Sequence, residues 1–347
     1  MLSILTPIQA DLRQALSAYI SRTGMEPAKE RRFCADVTHR LDDYAGRGKL
    51  IRGALVAFSQ GLYRDSYDDA AIDTGVAMEL LQTFLLIHDD IMDRDDTRRG
   101  APSIHAQYEA VAPRVSGAHH YGLSQAISAG DVAAFLAIQR IATIGAPERV
   151  RLRLQEMISA EIIQVGLAQM QDVFHGYAND ASEEEILDVY TYKTGRYTFS
   201  LPLMAGAVLA RVAEEEVQKL ADLGEGLGRV FQIRDDELGL FGDASDTGKP
   251  AGSDIEENKK TLFRAALFEY SRETERLTRL FGKKDLSIQD LQFVRSEVHR
   301  CGAYDVVEAA VDREAVRSQE IIDSLSIGNE ARASLTALLD YNNQRSV

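Results

Sequence analysis

Apolar residues recur along almost the whole chain at the period of a helix, and no stretch alternates in the manner of a strand. Thr6 and Pro7 suit an N-cap and first helical position, opening a helix to about Ile20. A second helix is expected from about Ala28 to Tyr44, ending at a glycine-flanked break at 45–48. Residues 67 to 93 read as one long helix, mostly apolar from Met78 to Ile87, with Gly100 and Pro102 expected to close it. A short helix at 103–107 and a loop at 111–118 precede an alanine-rich helix from about His119 to Ile144, in which Gly130 marks close packing. Pro147 opens another long helix to about Asp172, followed by a turn at 174–180. Ser182 to Glu185 form a capping box for the next helix, and Pro202 predicts a kink in the apolar run 199–210. In the helix at 214–240, Gly224, Gly226 and Gly228 read as close-packing positions, since no strand precedes them to make a dinucleotide fingerprint. Residues 241 to 260 form a loop long enough to act as a lid, and 261 to 343 give three or four amphipathic helices. With no low-complexity tract or linker, the expected fold is all-α, a single helical bundle over residues 1–347.

Composition narrows the partners more than the fold. Hydrophobic residues make up 45% of the 347 and charged ones 27%, enough for a sizeable core. A net charge of −15 and a pI near 5.0 argue against general nucleic-acid binding, though not against a small anion held by a local group of cations. Cys34 and Cys301 are the only cysteines, so no disulfide framework or cysteine metal site is expected and a reducing, cytoplasmic location is the default. The N-terminal stretch lacks the basic start and apolar core of a signal peptide. No apolar run reaches ~18 residues, so no membrane span is expected.

Candidate chemistry sits at two helix ends. Asp89, Asp90, Asp93, Asp95 and Asp96 follow the apolar run, with Arg98 and Arg99 just beyond. An isolated acid run of this kind more often marks a solvated helix end. On a helix, however, Asp89 and Asp93 share a face one turn apart, where two oxygen donors can share divalent cations. A second pair, Asp235 and Asp236, again follows an apolar helical pattern. Two such ends in one helical chain suggest facing helices holding a metal-bound anion, and Mg²⁺ with phosphate calls for the mixture of acids and bases found at both. Lys49 and Arg52 follow glycines at a helix start and read either as a diphosphate seat or as a basic turn with solvated side chains.

Taken together, these pieces resemble the trans-isoprenyl diphosphate synthases of the farnesyl and geranylgeranyl type. The match comprises Gly48-Lys49-x-x-Arg52, Gln82 to Gly100 with its Asp-Asp-x-x-Asp and Arg-Arg-Gly, Lys193-Thr194, Phe231-Gln232-x-x-Asp235-Asp236, and Gly248-Lys249 through Asp254 and Lys259. The resemblance implies a bundle of long helices around a deep apolar pocket, usually homodimeric. It implies an enzyme that joins an allylic diphosphate (dimethylallyl, geranyl or farnesyl) to isopentenyl diphosphate. Asp89, Asp93 and Asp235 are then the implied magnesium ligands, with Asp90 and Asp236 weaker. Arg98, Lys193, Gln232, Lys249 and Lys259 are implied on the allylic diphosphate, and Lys49, Arg52, Gln82 and Arg99 on isopentenyl diphosphate. Thr194 and Gln232 are implied to present oxygens near the developing cation, with the departing diphosphate as base. His88 is expected to be a hydrogen-bonded helix residue rather than a ligand.

Two positions depart from common family patterns: Gln82 stands where many members carry His, and Gly239 where a third aspartate is common. A class I terpene cyclase would not need Lys49, Arg52 and Arg99, and a non-catalytic synthase subunit would not need intact Asp89, Asp93, Asp235 and Lys193. For product length the candidates are Leu81, Phe84 and Leu85. In the family, an aromatic five positions before the first aspartate resembles a geranylgeranyl floor, and aromatics at both five and four go with farnesyl. The pair Phe84-Leu85 therefore implies geranylgeranyl diphosphate, with farnesyl diphosphate as the alternative. An ideal helix places Leu85 more nearly under Asp89, so a floor role for Phe84 rests on the resemblance.

Overall fold

The computed structural model describes residues 3–112, 117–242 and 252–344. The chain divides into two compact units, Met1–Ile158 with Pro202–Val217, and Ser159–Leu201 with Gln218–Val347.

The first unit is built around α4 (Asp69–Asp93), which packs against α1 (Thr6–Ala18), α2 (Cys34–Gly46), α3 (Ile51–Tyr63), α5 (Ile104–Ala110) and α6 (Ala118–Ala142). Asp68 starts α4 by accepting a hydrogen bond from the Ala71 N–H at 3.2 Å. Val76, Ala77, Met78, Leu80 and Leu81 are all buried, because neighbours cover this helix on several sides. Gly53 and Gly75 let α3 and α4 cross in backbone contact: a Cβ on either would lie 2.8 Å from the other's carbonyl oxygen. Gly130 brings α6 onto α4 in the expected way, since a Cβ there would lie 2.6 Å from the His88 ring.

Helix α4 stops at Asp93 because Arg94 turns left-handed, with φ 60°, and not because of Gly100. Beyond it the chain makes a short hairpin, β1 (Thr97–Arg98) and β2 (Ala101–Pro102), pairing Thr97 with Pro102 and Arg98 with Ala101. Arg99 (φ 54°) and Gly100 (φ 73°) form its turn, the left-handed pair that hairpin twist favours. Two-residue strands are too short to show alternation, which is why sequence pattern misses them. Helix α2 begins at Cys34 rather than near Ala28, since Pro27 lies in a separate 3₁₀ turn.

Helix α7 (Glu148–Tyr177) continues through the first half of the turn expected at 174–180. In the second unit α8 (Glu183–Val189) carries the expected reciprocal cap between Ser182 and Glu185. A π-helical stretch, Tyr190–Ser200, follows and leads into α9 (Leu201–Ala210). Where a kink is expected at Pro202, the Leu201 N–H bonds the Arg196 carbonyl, which widens the helix just before the proline. The unit continues with α10 (Glu214–Phe241), α11 (Ser253–Glu256), α12 (Leu262–Tyr270), α13 (Thr274–Leu280), α14 (Ile288–Arg300), α15 (Ala303–Ser324) and α16 (Asn329–Asn343). After residue 261 there are thus five helices, not three or four. Its core joins Tyr190, Val230, Ile233, Phe263, Leu267, Val294 and Val311. Gly224, Gly226 and Gly228 are close-packing positions as expected, set against Ser200, Ser318 and Gly195. Residues 243–251 of the expected lid, Lys249 among them, lie outside the described residues.

By length and composition alone, α4 and α6 are apolar enough to cross a membrane, which a count of consecutive apolar residues misses. The apolar window of α4 is 72% buried within the protein, whereas that of α6 is 39% buried. The difference leaves Ile127, Phe135 and Ile138 of α6 exposed.

Candidate functional site

At the end of α4, the exposed and buried carboxylates have separate environments. Asp93 is exposed and Asp89 half-buried, one turn apart on the same helix. Asp90 between them is fully buried. Its carboxylate accepts hydrogen bonds from the Tyr44 hydroxyl at 2.7 Å and from Arg98 Nε at 2.6 Å. The hairpin carries Arg98, which also reaches Asp95 at 3.3 Å and Asp89 at 4.0 Å. Burial pushes the Asp90 carboxyl above its ordinary range despite the Tyr44 and Arg98 bonds. Burial likewise raises Tyr44, with the Asp90 charge adding to it. Burial pulls the Arg98 guanidinium down, but the Asp90 charge outweighs it and the net shift is up.

His88 turns toward α6, with Nε2 3.3 Å from the Ile127 carbonyl oxygen. Phe84 meets its ring edge-on at 4.7 Å. Leu81 is buried, and Phe84 and Leu85 are half-buried on the same helix. Gln82 is half-buried three residues after Glu79.

The second cationic group of this unit lies at the start of α3. Lys49 is exposed and Arg52 half-buried in the first turn. Arg99 lies over Gly48, whose Cβ, were one present, would be 2.9 Å from Arg99 Nη1. Glu79, buried in α4, accepts from the Gly53 N–H at 2.8 Å. Burial raises its carboxyl, opposed by that N–H and by the charges of Arg52 and Arg99. Glu79 therefore belongs with Arg52 and Arg99, and its sequence signal was a lone acid inside an apolar run.

The end of α10 repeats the arrangement in the second unit. Asp235 is exposed, whereas Asp236 is 2% exposed. Asp236 accepts from the Tyr190 hydroxyl, from Gln232 Nε2 at 3.1 Å and from Lys259 Nζ at 2.9 Å. Burial pulls the Lys259 ammonium down, but Asp236 and Asp254 override it and hold its pKa up. The π-helical stretch presents Lys193, whose ammonium donates to Asp172 of α7 at 2.5 Å. Thr194 Oγ1 donates to Gln232 Oε1 at 2.9 Å. Tyr44, Tyr190 and Asp172 bond the candidate residues Asp90, Asp236 and Lys193, and pattern did not single them out because each partner is distant in sequence.

The structure accounts for Gly239. A side chain at this position would start against the Asp254 carboxylate, brought in by α11, which lies 4.0 Å from Lys259 Nζ. Space and negative charge at position 239 are thus already taken by Asp254.

The donor chemistry bears on a metal. Among the described residues, no three His, Cys, Asp or Glu side chains form a ready-made metal cage. Mg²⁺ is ordinarily bound through one or two carboxylates, with waters and substrate phosphates completing the shell. Each helix end by itself offers that kind of partial shell: Asp89 and Asp93 with Arg98 in the first unit, and Asp235 beside Asp236, which Lys259 meets, in the second. The residues fit Mg²⁺ held in company with a diphosphate.

An all-α fold with acid-and-base helix ends of this kind is that of the prenyl synthases. The structure of geranylgeranyl pyrophosphate synthase from Corynebacterium glutamicum, complexed with isoprenyl diphosphate and magnesium, superposes with a TM-score of 0.87 at 30% identity, covering 96% of this chain and 97% of that one. A geranylgeranyl diphosphate synthase of Sulfolobus acidocaldarius is 34% identical over 252 residues, 72% of each chain. A geranylfarnesyl diphosphate synthase of Aeropyrum pernix is 32% identical over 299 residues, 85% of this chain and 89% of that one. The polyprenyl synthetase family model matches residues 36–298, and the chain belongs to that family. It is a transferase, a short-chain prenyl diphosphate synthase.

The packing at position 239 generates a test. Gly239→Asp should lower stability by about 1–3 kcal/mol through overpacking, with like charge adding to it. Combining it with Asp254→Gly should restore most of the loss. Thermal unfolding measures both, and an unchanged midpoint in the single variant contradicts the packing described.

Proposed function

We propose that this chain condenses an allylic diphosphate with isopentenyl diphosphate and releases mainly geranylgeranyl diphosphate. The observation that carries the product assignment is Phe84 with Leu85 after it, on the helix that ends at Asp89. Relatives named as geranylgeranyl synthases support it.

In this reading Asp89, Asp93 and Asp235 hold magnesium, and Asp90 and Asp236 act mainly by orienting Arg98 and Lys259. The chemistry magnesium supplies when bound is charge neutralisation on the leaving diphosphate. Arg98, Lys193, Gln232, Lys249 and Lys259 hold that diphosphate, and Lys49, Arg52, Gln82 and Arg99 hold the second one. As the carbon–oxygen bond breaks, fixed cations replace water around the departing anion and need no reorganisation. Thr194 and Gln232, tied to each other, keep oxygen lone pairs beside the allylic cation. The cation then alkylates the double bond of isopentenyl diphosphate, and the departed diphosphate takes the proton lost. The growing tail follows α4 past Leu85 toward Phe84, in apolar surroundings that keep water from the cation.

Two broader expectations belong to this reading. Cys34 and Cys301, both free, suit a reducing cytoplasmic compartment. Exposed Ile127, Phe135 and Ile138 of α6, and Ile163, Leu167 and Met170 of α7, support a homodimer that covers them. Sedimentation equilibrium should give twice the chain mass, and a monomer at micromolar concentration contradicts it.

Incubation with isopentenyl diphosphate and each allylic primer, with and without Mg²⁺, tests the reaction. Condensation to geranylgeranyl diphosphate is expected; a hydrocarbon formed from the allylic substrate alone would mark a cyclase, and no turnover a non-catalytic subunit. Asp89→Ala or Asp235→Ala should cut kcat by at least about 10²-fold with the helical fold intact, the scale of losing leaving-group stabilisation. Near-normal rates at saturating Mg²⁺ contradict the metal assignment. Phe84→Ala should lengthen the product toward the geranylfarnesyl type, and Leu85→Phe should shorten it. An unchanged product distribution from active Phe84→Ala enzyme removes Phe84 as the floor.

A further inference from the structure

The segment that leads through Lys49 into α3 is tied locally by the Gly48 N–H, which donates to the Ala45 carbonyl at 3.0 Å. Gly46 and Gly48 carry no side chain, and Leu50 is left-handed with φ 49°, a strained conformation for a residue with a Cβ. Three of its other carbonyls are held by α1. Gln9, 7% exposed, donates from Nε2 to the Lys49 carbonyl at 2.6 Å. Arg13, one turn further on, donates from Nη2 to the Gly48 carbonyl at 3.0 Å and from Nη1 to the Gly46 carbonyl. Leu12 between them is fully buried against the Gly53–Gly75 crossing and anchors α1 there. Three loop carbonyls are thus tied to one helix face, while the Lys49 side chain stays exposed and Arg99 lies over Gly48.

The electrostatic consequence follows from the peptide dipole. A carbonyl oxygen repels a diphosphate, and engaging three of them with N–H donors on α1 lowers that repulsion beside the anion seat. The forked guanidinium of Arg13 spans two carbonyls at once, which a lysine ammonium on a flexible stem does less well. We propose that Gln9 and Arg13 are positioning residues for the isopentenyl diphosphate site, setting the 46–50 backbone so that Lys49 and Arg52 present a single seat. The inference rests on the reading of Lys49, Arg52 and Arg99 as the holders of that substrate. A purely structural role, fastening α1 to the fold, would lower stability without choosing between the two substrates.

Steady-state kinetics of Gln9→Leu, Arg13→Met and Arg13→Lys, with thermal unfolding in parallel, separates these cases. Arg13 is exposed, so its variants should fold even if Gln9→Leu does not. Each variant should raise the isopentenyl diphosphate KM about three- to tenfold, the scale of one or two hydrogen bonds, with the allylic KM within about twofold. Arg13→Lys should recover less than half of the loss. Added to Lys49→Ala, Arg13→Met should raise that KM by a clearly smaller factor than it does alone, because part of its effect runs through Lys49. Equal rises in both KM values, a fall in kcat alone, or full additivity with Lys49→Ala overturns the inference. If Lys49→Ala itself fails to act selectively on isopentenyl diphosphate, the underlying site assignment is what falls.

Discussion

The structure depends on how a carboxylate can be buried at the end of an apolar helix. Asp90 and Asp236 solve this in the same way, each with a tyrosine hydroxyl and a basic side chain, Tyr44 with Arg98 and Tyr190 with Lys259. Removing one partner of a buried ion pair leaves a charge that costs roughly 3–5 kcal/mol. The pairing therefore fixes more than charge. It orients Arg98 and Lys259, while Asp89 stays half-buried and Asp93 and Asp235 are exposed beside them. Each end thus sets a buried, paired aspartate directly after a more accessible one, Asp90 after Asp89 and Asp236 after Asp235.

The remaining features follow from presenting these ends. Arg94 ends α4 by turning left-handed, and the short hairpin brings Arg98 back onto the helix it has just left. The π-helical stretch before Pro202 presents Lys193 and Thr194, and Asp172 and Gln232 receive them. Asp254 fills the space that Gly239 leaves, so a motif that looks short of one acid is not short of negative charge there. In the proposed reaction, cations fixed in this way would matter because leaving-group departure is fast only when the anion is stabilised without solvent rearrangement.

Much of this was legible in sequence where the signal is local. The all-α class, the run of α4, the cap at Ser182, and close packing at Gly130, Gly224, Gly226 and Gly228 all follow from spacing within one or two turns. The family followed from motif order. What stayed hidden depends on contacts across the chain. Tyr44 and Asp90 are 46 residues apart, as are Tyr190 and Asp236, well beyond any window in which helical periodicity carries information. The hairpin was hidden for the opposite reason: its strands are shorter than one period of alternation would need to be seen. The stop at Arg94 was hidden because a left-handed arginine has no sequence mark of the kind glycine provides.

The central claim is that Asp89, Asp93 and Asp235 act on an allylic diphosphate through a divalent ion. Calorimetric titration of the protein with a non-reactive thiolo analogue of farnesyl diphosphate, with and without Mg²⁺, tests it without turnover. The account predicts strong binding only with Mg²⁺ present, with that binding weakened at least about tenfold in Asp89→Ala, the loss expected when roughly 1.5–3 kcal/mol of charge-assisted contact is removed. Equal affinity in Mg²⁺ and in chelator, or an unchanged affinity in Asp89→Ala, would contradict it.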